Sequence, residues 1–175
     1  MNWSNPLPYV LKKTQDSESF KKMPAGETGL PLAPHPGAFG VTRKYHRHEG
    51  IDIYVPECTP VTTVEEGKVL DVRPFTGEQA GLPWWKDTYA VFVEGESGVV
   101  VYGEIAPHVQ KGQFLMKNEL LGVVIKVLKK DKGRPMSMLH LELRAHGCVD
   151  EIYWTSDTRH VDLRDPTPYL LHLAK

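Results

Sequence analysis

Little in this sequence would recruit a partner through charge or lipid. Lysines and arginines number 21 against 22 aspartates and glutamates, for a formal net charge of −1. No basic excess is therefore available for nucleic acid or an anionic membrane surface. No apolar run approaches the ~18 residues that a membrane-spanning helix needs. The opening Met-Asn-Trp-Ser-Asn-Pro-Leu-Pro lacks the basic start and apolar stretch of a secretory signal, so the expectation is a cytoplasmic protein, with release by lysis or another route left open. Cys58 and Cys148 are the 2 cysteines, too few for a disulfide framework and more in keeping with free thiols. No repeat of fixed period is present.

What is present is a chain of 175 residues, long enough for one domain with a proper core. Its prolines are unevenly placed: Pro6, Pro8, Pro24, Pro31, Pro34 and Pro36 fall in the first 36 residues. Proline fixes φ and restricts the residue before it, so 1–36 is expected to be an extended N-terminal arm, loose on the surface, with room for a short helix around Ser17 to Met23. Residues 37–175 form the domain proper. Short apolar runs punctuated by glycine dominate there, which predicts a β-rich fold. Val61–Val64 and Lys68–Arg73 read as a hairpin through Glu65-Glu-Gly67. Thr88–Glu94 and Val99–Tyr102 read as another, turned at Gly95–Gly98. Asp165-Pro-Thr-Pro-Tyr-Leu offers a cap and an early proline for a short terminal helix.

The stretch from Gly37 to Val55 carries the chemistry. Ile51, Ile53 and Val55 alternate with Gly50, Asp52 and Tyr54, a strand with one apolar face. His48 and Asp52 share the other face. A straight strand would hold their Cα atoms roughly 13 Å apart, and Gly50 can supply the bend that brings them together. Far down the chain, Leu139, Leu141 and Leu143 alternate with Met138, His140, Glu142 and Arg144, so a single imidazole stands on that strand's polar face. Two readings fit these residues. His48 and His140 are ordinary surface or hydrogen-bonded histidines, or they join Asp52 as the two histidines and one carboxylate of a metal site.

A longer set of motifs bears on that choice. Phe39-Gly40 through His48-Glu-Gly-Ile-Asp52, then Pro60-Val61 and Glu66-Gly67-Lys68-Val69, resembles the lysostaphin-type (LytM-type) zinc metallopeptidases. Val100-Val-Tyr-Gly103, Lys111-Gly-Gln113, Leu120-Leu-Gly122, Leu139-His-Leu-Glu142 and Asp165-Pro-Thr-Pro-Tyr-Leu170 continue the resemblance in the family's order, over roughly residues 37 to 171. It implies an antiparallel barrel-sandwich hybrid with a narrow groove, and one zinc ion held by His48, Asp52 and His140. The implied ligand is a peptide or peptidoglycan-like chain, cleaved by a metal-activated water.

Two departures stand beside the matches. The family's Y-x-H-L segment is Tyr102-Gly-Glu104-Ile here, and the first histidine of its H-x-H strand is Met138. Both auxiliary histidines are thus replaced. Glu104 is a candidate general base, since other zinc peptidases use a glutamate in that role; a solvated or salt-bridged strand residue is the equal alternative. Tyr102, Met138, Glu142, Trp84 and Trp85 are candidates for the groove. Three functions remain open: an altered zinc peptidase, a peptide- or glycan-binding domain that keeps the metal, and another metal enzyme such as a non-haem iron protein with two histidines and one carboxylate.

Overall fold

The computed structural model describes residues 3–175. Alternating β-branched and leucine side chains set its architecture. In chain order the strands are β1 (Val10–Thr14), β2 (Glu27–Pro31), β3 (Ile51–Tyr54), β4 (Pro60–Thr62), β5 (Gly67–Thr76), β6 (Thr88–Gly95), β7 (Gly98–Pro107), β8 (Phe114–Leu115), β9 (Leu120–Val124), β10 (Met138–Arg144) and β11 (Leu163–Arg164). A single helical turn, α1 (Thr167–Leu170), follows, and the Thr167 N–H donates to Asp165 Oδ1 at 2.8 Å. No helix among the described residues is long and apolar enough to cross a membrane.

Nine strands form one antiparallel sheet in the order β11-β10-β7-β6-β5-β8, with β3 added along β10 and the β4–β9 pair along β7. The path stays open at its ends, so the sheet does not close into a barrel. β6 and β7 pair up to Gly95 opposite Gly98, as the expected hairpin does. The other expected hairpin is absent: β4 pairs with β9, while β5 pairs with β6 and β8. After β4 the chain is tied to distant partners instead. The Thr63 hydroxyl donates to Met116 O, and the Val64 N–H donates to the Tyr102 hydroxyl oxygen at 2.9 Å.

The strands bury two faces. Val100, Tyr102, Leu139, Leu141, Leu143, Val91 and Val93 point into the main core. Ala90, Phe92, Val99 and Val101 form a smaller cluster on the opposite face, where the polar side of β10 also lies. The N-terminal segment is no loose arm. β1 and β2 pair in parallel, and Trp3, Leu7, Leu11 and Leu30 are buried in the main core. Trp3 stacks on Tyr169 at 4.8 Å and donates its Nε1–H to Ser97 Oγ at 3.1 Å. Four large apolar side chains at wide spacing anchor the segment.

Candidate metal centre

Register brings the three candidate ligands together. β3 and β10 run antiparallel with Asp52 directly opposite His140, which places side chains on one face about 5 Å apart at Cβ. On its other edge β10 pairs with β7, where Gly103 is the partner of His140. His48 precedes β3, and the chain bends between it and Asp52. Asp52 Oδ1 lies 2.8 Å from His140 Nδ1 and 3.2 Å from His48 Nε2, and the two nitrogens are 3.3 Å apart. Ligand bonds of about 2.05 Å in a tetrahedron give edges of about 3.3 Å. His48, Asp52 and His140 can therefore hold a metal ion with small adjustment, and all three are buried.

The hydrogen bonds behind the ligands fix their orientation. His48 Nδ1 donates to the Ala38 carbonyl at 3.1 Å, and His140 Nε2 donates to Glu142 Oε1 at 2.9 Å. Carbonyl and carboxylate oxygens can only accept, so these far nitrogens carry protons and the near ones present their lone pairs to a cation. Arg144 in turn donates Nε–H to Glu142 Oε2 at 2.8 Å. Arg43 donates to Asp52 Oδ2 at 2.5 Å and to Pro36 O at 3.0 Å, leaving Oδ1 turned to the histidines.

Electrostatics follow this network. Burial pushes the His48 imidazole below its usual pKa. Burial also opposes charge on His140, but its bonds to Asp52 and Glu142 win and raise it to about 10. The Glu142 carboxyl falls to about 2 despite burial, because His140 and Arg144 hold its anion. Asp52 is likewise driven well below the usual carboxylate range, burial notwithstanding, by His48 and Arg43. Without a cation the cluster is an imidazolium network; a metal would take the place of the His140 Nδ1 proton.

β7 supplies the opposite side. Tyr102 and Ile105 both face the main core, which strict alternation forbids for residues three apart. The register slips there: Tyr89 pairs with Ile105, yet Val91 pairs with Tyr102. β7 thus carries one extra residue, a β-bulge that turns both Gly103 and Glu104 away from the core. Glu104 sits at φ 65, a left-handed conformation unusual for a residue with a Cβ. Its Oε2 is shut off from solvent and has no hydrogen-bond partner. Burial first, and Asp52 second, raise its carboxyl to about 8. Gly103 leaves space for Phe75, whose ring would lie 2.6 Å from an added Cβ and which packs on His140 at 5.3 Å. Tyr54, pushed up to about 12 by burial and by Asp52, completes the surround as a neutral phenol.

No family model and no curated protein matches the sequence; solved structures do. A chain of the crystal structure of the SpoIIIAH and SpoIIQ complex matches with a TM-score of 0.50 at 17% identity, over 88% of this chain and 96% of that one. Lysostaphin in solution matches at 0.47 and 15% identity, over 73% of this chain and 44% of its own. The match at 0.50 shows a shared mainly β fold with that chain of the complex. A zinc-containing peptidase from Vibrio cholerae matches at 0.42 and 22% identity, over 55% of this chain and 26% of that one. This chain therefore spans about a quarter to a half of the length of those two proteins.

Within this fold the expected site residues separate. His48, Asp52, His140 and Glu104 lie around one centre. Met138 shares the β10 face of His140 and is the register partner of Tyr54. Tyr102 does not line a groove: it is fully buried in the main core, on the face opposite Gly103. Glu142 is also no groove residue, being buried and committed to His140 and Arg144. Trp84 stands 61% exposed, and neither it nor Trp85 makes a ring contact or hydrogen bond with the cluster among the described residues. Gly50 is required for a different reason than expected. Its φ is not left-handed; an added Cβ would meet Leu141 O at 2.5 Å, Glu142 Cγ at 2.9 Å and His140 Nε2 at 3.0 Å. Arg43, Phe75 and Tyr54 were missed as site residues, although Arg43 lies within the 37–55 stretch and Tyr54 shares the strand face of Asp52.

Proposed function

We propose that this protein is a zinc-binding domain of the lysostaphin peptidase type, taking a peptide or peptidoglycan-like ligand at His48, Asp52 and His140, with weak or altered hydrolysis. The observation that carries the reading is the convergence of three ligand atoms at 2.8–3.3 Å, with the far nitrogen of each histidine already committed. When bound, the ion supplies Lewis acidity for a carbonyl and a water whose pKa is drawn towards neutrality. The remaining work falls to the chain. Arg43 keeps Asp52 turned to the histidines, and Glu142 keeps His140 in the ligating tautomer. Glu104 is the group available to take a proton: its Oε2 is unpaired, and a cation in the same cleft favours its ionised form. Met138 can neither donate nor accept a proton at its position. Losing general-base help at one site costs typically ~10²–10⁴ in rate, so turnover on glycine-rich peptides is expected to be slow.

A second reading is a binding domain that keeps the metal without cleavage. It is favoured by Met138 on the ligand strand, and by the match to a chain of a two-protein complex across 96% of that chain, which makes a protein partner a natural ligand class. Two measurements separate these readings. Metal analysis of protein purified without added metal should find one zinc per chain in the wild type and none in His140→Ala. Equal metal content in both sinks the site, and iron in place of zinc moves the protein to oxygenase chemistry. Zinc-dependent cleavage that vanishes in Glu104→Gln selects the peptidase; its absence in the wild type selects the binding domain.

A further inference from the structure

Beside the metal centre, the N-terminal segment and the sheet enclose a cavity of about 520 Å³. Tyr54 and Val55 at the end of β3, with Met136 and Ser137 leading into β10, form one wall; Phe20, Met23 and residues 24–29 form the other. His35 stands between the cavity and the metal centre. Its ring is 5.6 Å from that of Tyr54, and its Nδ1 accepts from the Gly37 N–H, at the point where Gly37 lies against the Asp52 backbone. Cavity and centre thus share a wall. Tyr54 is two residues beyond Asp52, and its register partner Met138 is two residues before His140. Two strand residues span about 6.6 Å, the spacing between alternate side chains of an extended peptide on one face.

Several polar side chains of the lining are already spent on the protein. The Thr28 hydroxyl donates to Tyr54 O at 2.5 Å and the Ser137 hydroxyl to Val55 O at 2.7 Å. Glu27 is paired with Lys12 at 3.4 Å, and burial keeps His35 towards its neutral form. Most of what faces the space is apolar, including the rings of Phe20 and Tyr54, edge to face at 6.2 Å, with Met23 and Met136. The volume lies within the ~300–1,000 Å³ of ordinary ligand pockets, far more than a glycine could use.

We infer that this cavity is the specificity pocket of the site, taking a bulky neutral side chain, aromatic or large aliphatic, of a peptide held at the metal centre. The inference rests on the proposed metal site for the peptide's main chain; the side-chain preference itself needs no metal. Lysostaphin-like preference for glycine would leave the cavity empty.

Calorimetric titration of the full chain tests it, using acetyl-Gly-Gly-Phe-Gly-Gly-amide and acetyl-pentaglycine-amide, with zinc added and after chelation. The phenylalanine peptide should bind at least about tenfold tighter, as burial of one aromatic side chain allows. Ala25→Trp, at the exposed rim, should erase that preference while leaving pentaglycine affinity unchanged; Phe20→Ala, which strips the wall, should reduce it. Thermal unfolding confirms that each variant is folded. Equal affinity for the two peptides in the wild type overturns the inference, as does a preference that survives both substitutions. Chelation separates the two proposals. If it weakens both peptides equally and the ratio persists, pocket and metal site both stand. If zinc changes neither affinity, the metal reading falls and the pocket stands.

Discussion

On the β3–β10 side of the site, the nitrogens of His48 and His140 and the oxygens of Asp52 and Glu142 all have partners, whereas on the β7 side the Oε2 of Glu104 has none. The first side is a chain of charge-assisted bonds running Arg144 to Glu142 to His140 to Asp52 to Arg43, in a buried setting where such networks polarise one another. The second is a strand bulge with a left-handed, non-glycine residue. That conformation costs about 1–2 kcal/mol, and an unpaired buried carboxyl about 1–3 kcal/mol more. On the proposed function, the contrast separates two tasks. Holding an ion requires fixed geometry, which register and full hydrogen bonding provide. Moving a proton requires a group whose partner arrives later, and Glu104 is the group that the fold leaves unsatisfied.

The largest test removes the centre of the satisfied side. Asp52→Ala strips the partner from the His140 imidazolium and from Arg43, and breaking such a buried pair costs about 3–5 kcal/mol. The lower end, about 3 kcal/mol, is expected because Arg43 keeps roughly a third of its side chain in solvent (34%). Urea unfolding of the metal-free protein measures it. A loss under about 1 kcal/mol would mean that the network contributes little and that the contrast with Glu104 is only apparent. Gly50→Ala should follow, at about 2 kcal/mol, since the new Cβ meets a backbone oxygen at 2.5 Å that cannot swing away. Both the unfolding midpoint and metal content should fall, because His140 Nε2 is among the atoms displaced.

Glu142→Gln is smaller and more selective. It keeps the shape but gives up the anion that holds His140 Nε2–H and Arg144. Loss of such a supporting bond typically lowers metal affinity ~10–100-fold, so competition with a chelator of known strength should show a shift of that size. The shift should widen as pH rises, because the weaker proton competition that offsets part of the variant's loss at low pH disappears. In the wild type, His140 holds its proton up to about 10 and metal must displace it; the variant weakens that hold along with the ligand. Unchanged affinity would reduce Glu142 to a packing residue.

These sites were unequally legible. The candidate ligands His48, Asp52 and His140 could be named from alternation and motif order, because each depends on local spacing. That Asp52 lies opposite His140 could not: the pair is 88 residues apart in sequence, and register between distant strands leaves no local trace. Alternation alone would set Tyr102 and Glu104 on one face. The bulge at Gly103–Glu104 changes the count, sending Tyr102 to the core and Glu104 to the cleft. Likewise the turn at Glu65–Gly67 looks local, but β4 finds its partner in β9. In the N-terminal segment the prolines were plain, while burial of Trp3 under Tyr169 depends on the far end of the chain. The resemblance supplied the fold, yet the second layer of the site, Arg43, Arg144 and Phe75, needed coordinates.

The finest test lies on the unsatisfied side. In the metal-free protein, Glu104 has a carboxyl raised from 4.5 to about 8. The folded state therefore binds this proton more tightly than the unfolded state does. Below pH 4.5 both states are protonated and the residue costs nothing through ionisation. Between 4.5 and 8 the unfolded chain ionises first, so stability falls as pH rises; above about 8 the full cost remains. Glu104→Gln removes the ionisation while nearly preserving shape. The variant should match the wild type near pH 4.5 and gain steadily to about 1 kcal/mol at pH 9, the low end of the cost of leaving a buried polar group without a partner. Urea melts of both proteins across that range, in chelator, give the difference curve. A flat curve would mean that Glu104 is paired or solvated, and the two sides of the site would then be built alike. With zinc bound the curve should flatten for another reason, since a nearby cation lowers the carboxyl and removes the cost. Flattening with zinc but not in chelator is therefore the signature of a base that gains its partner only when the site is loaded.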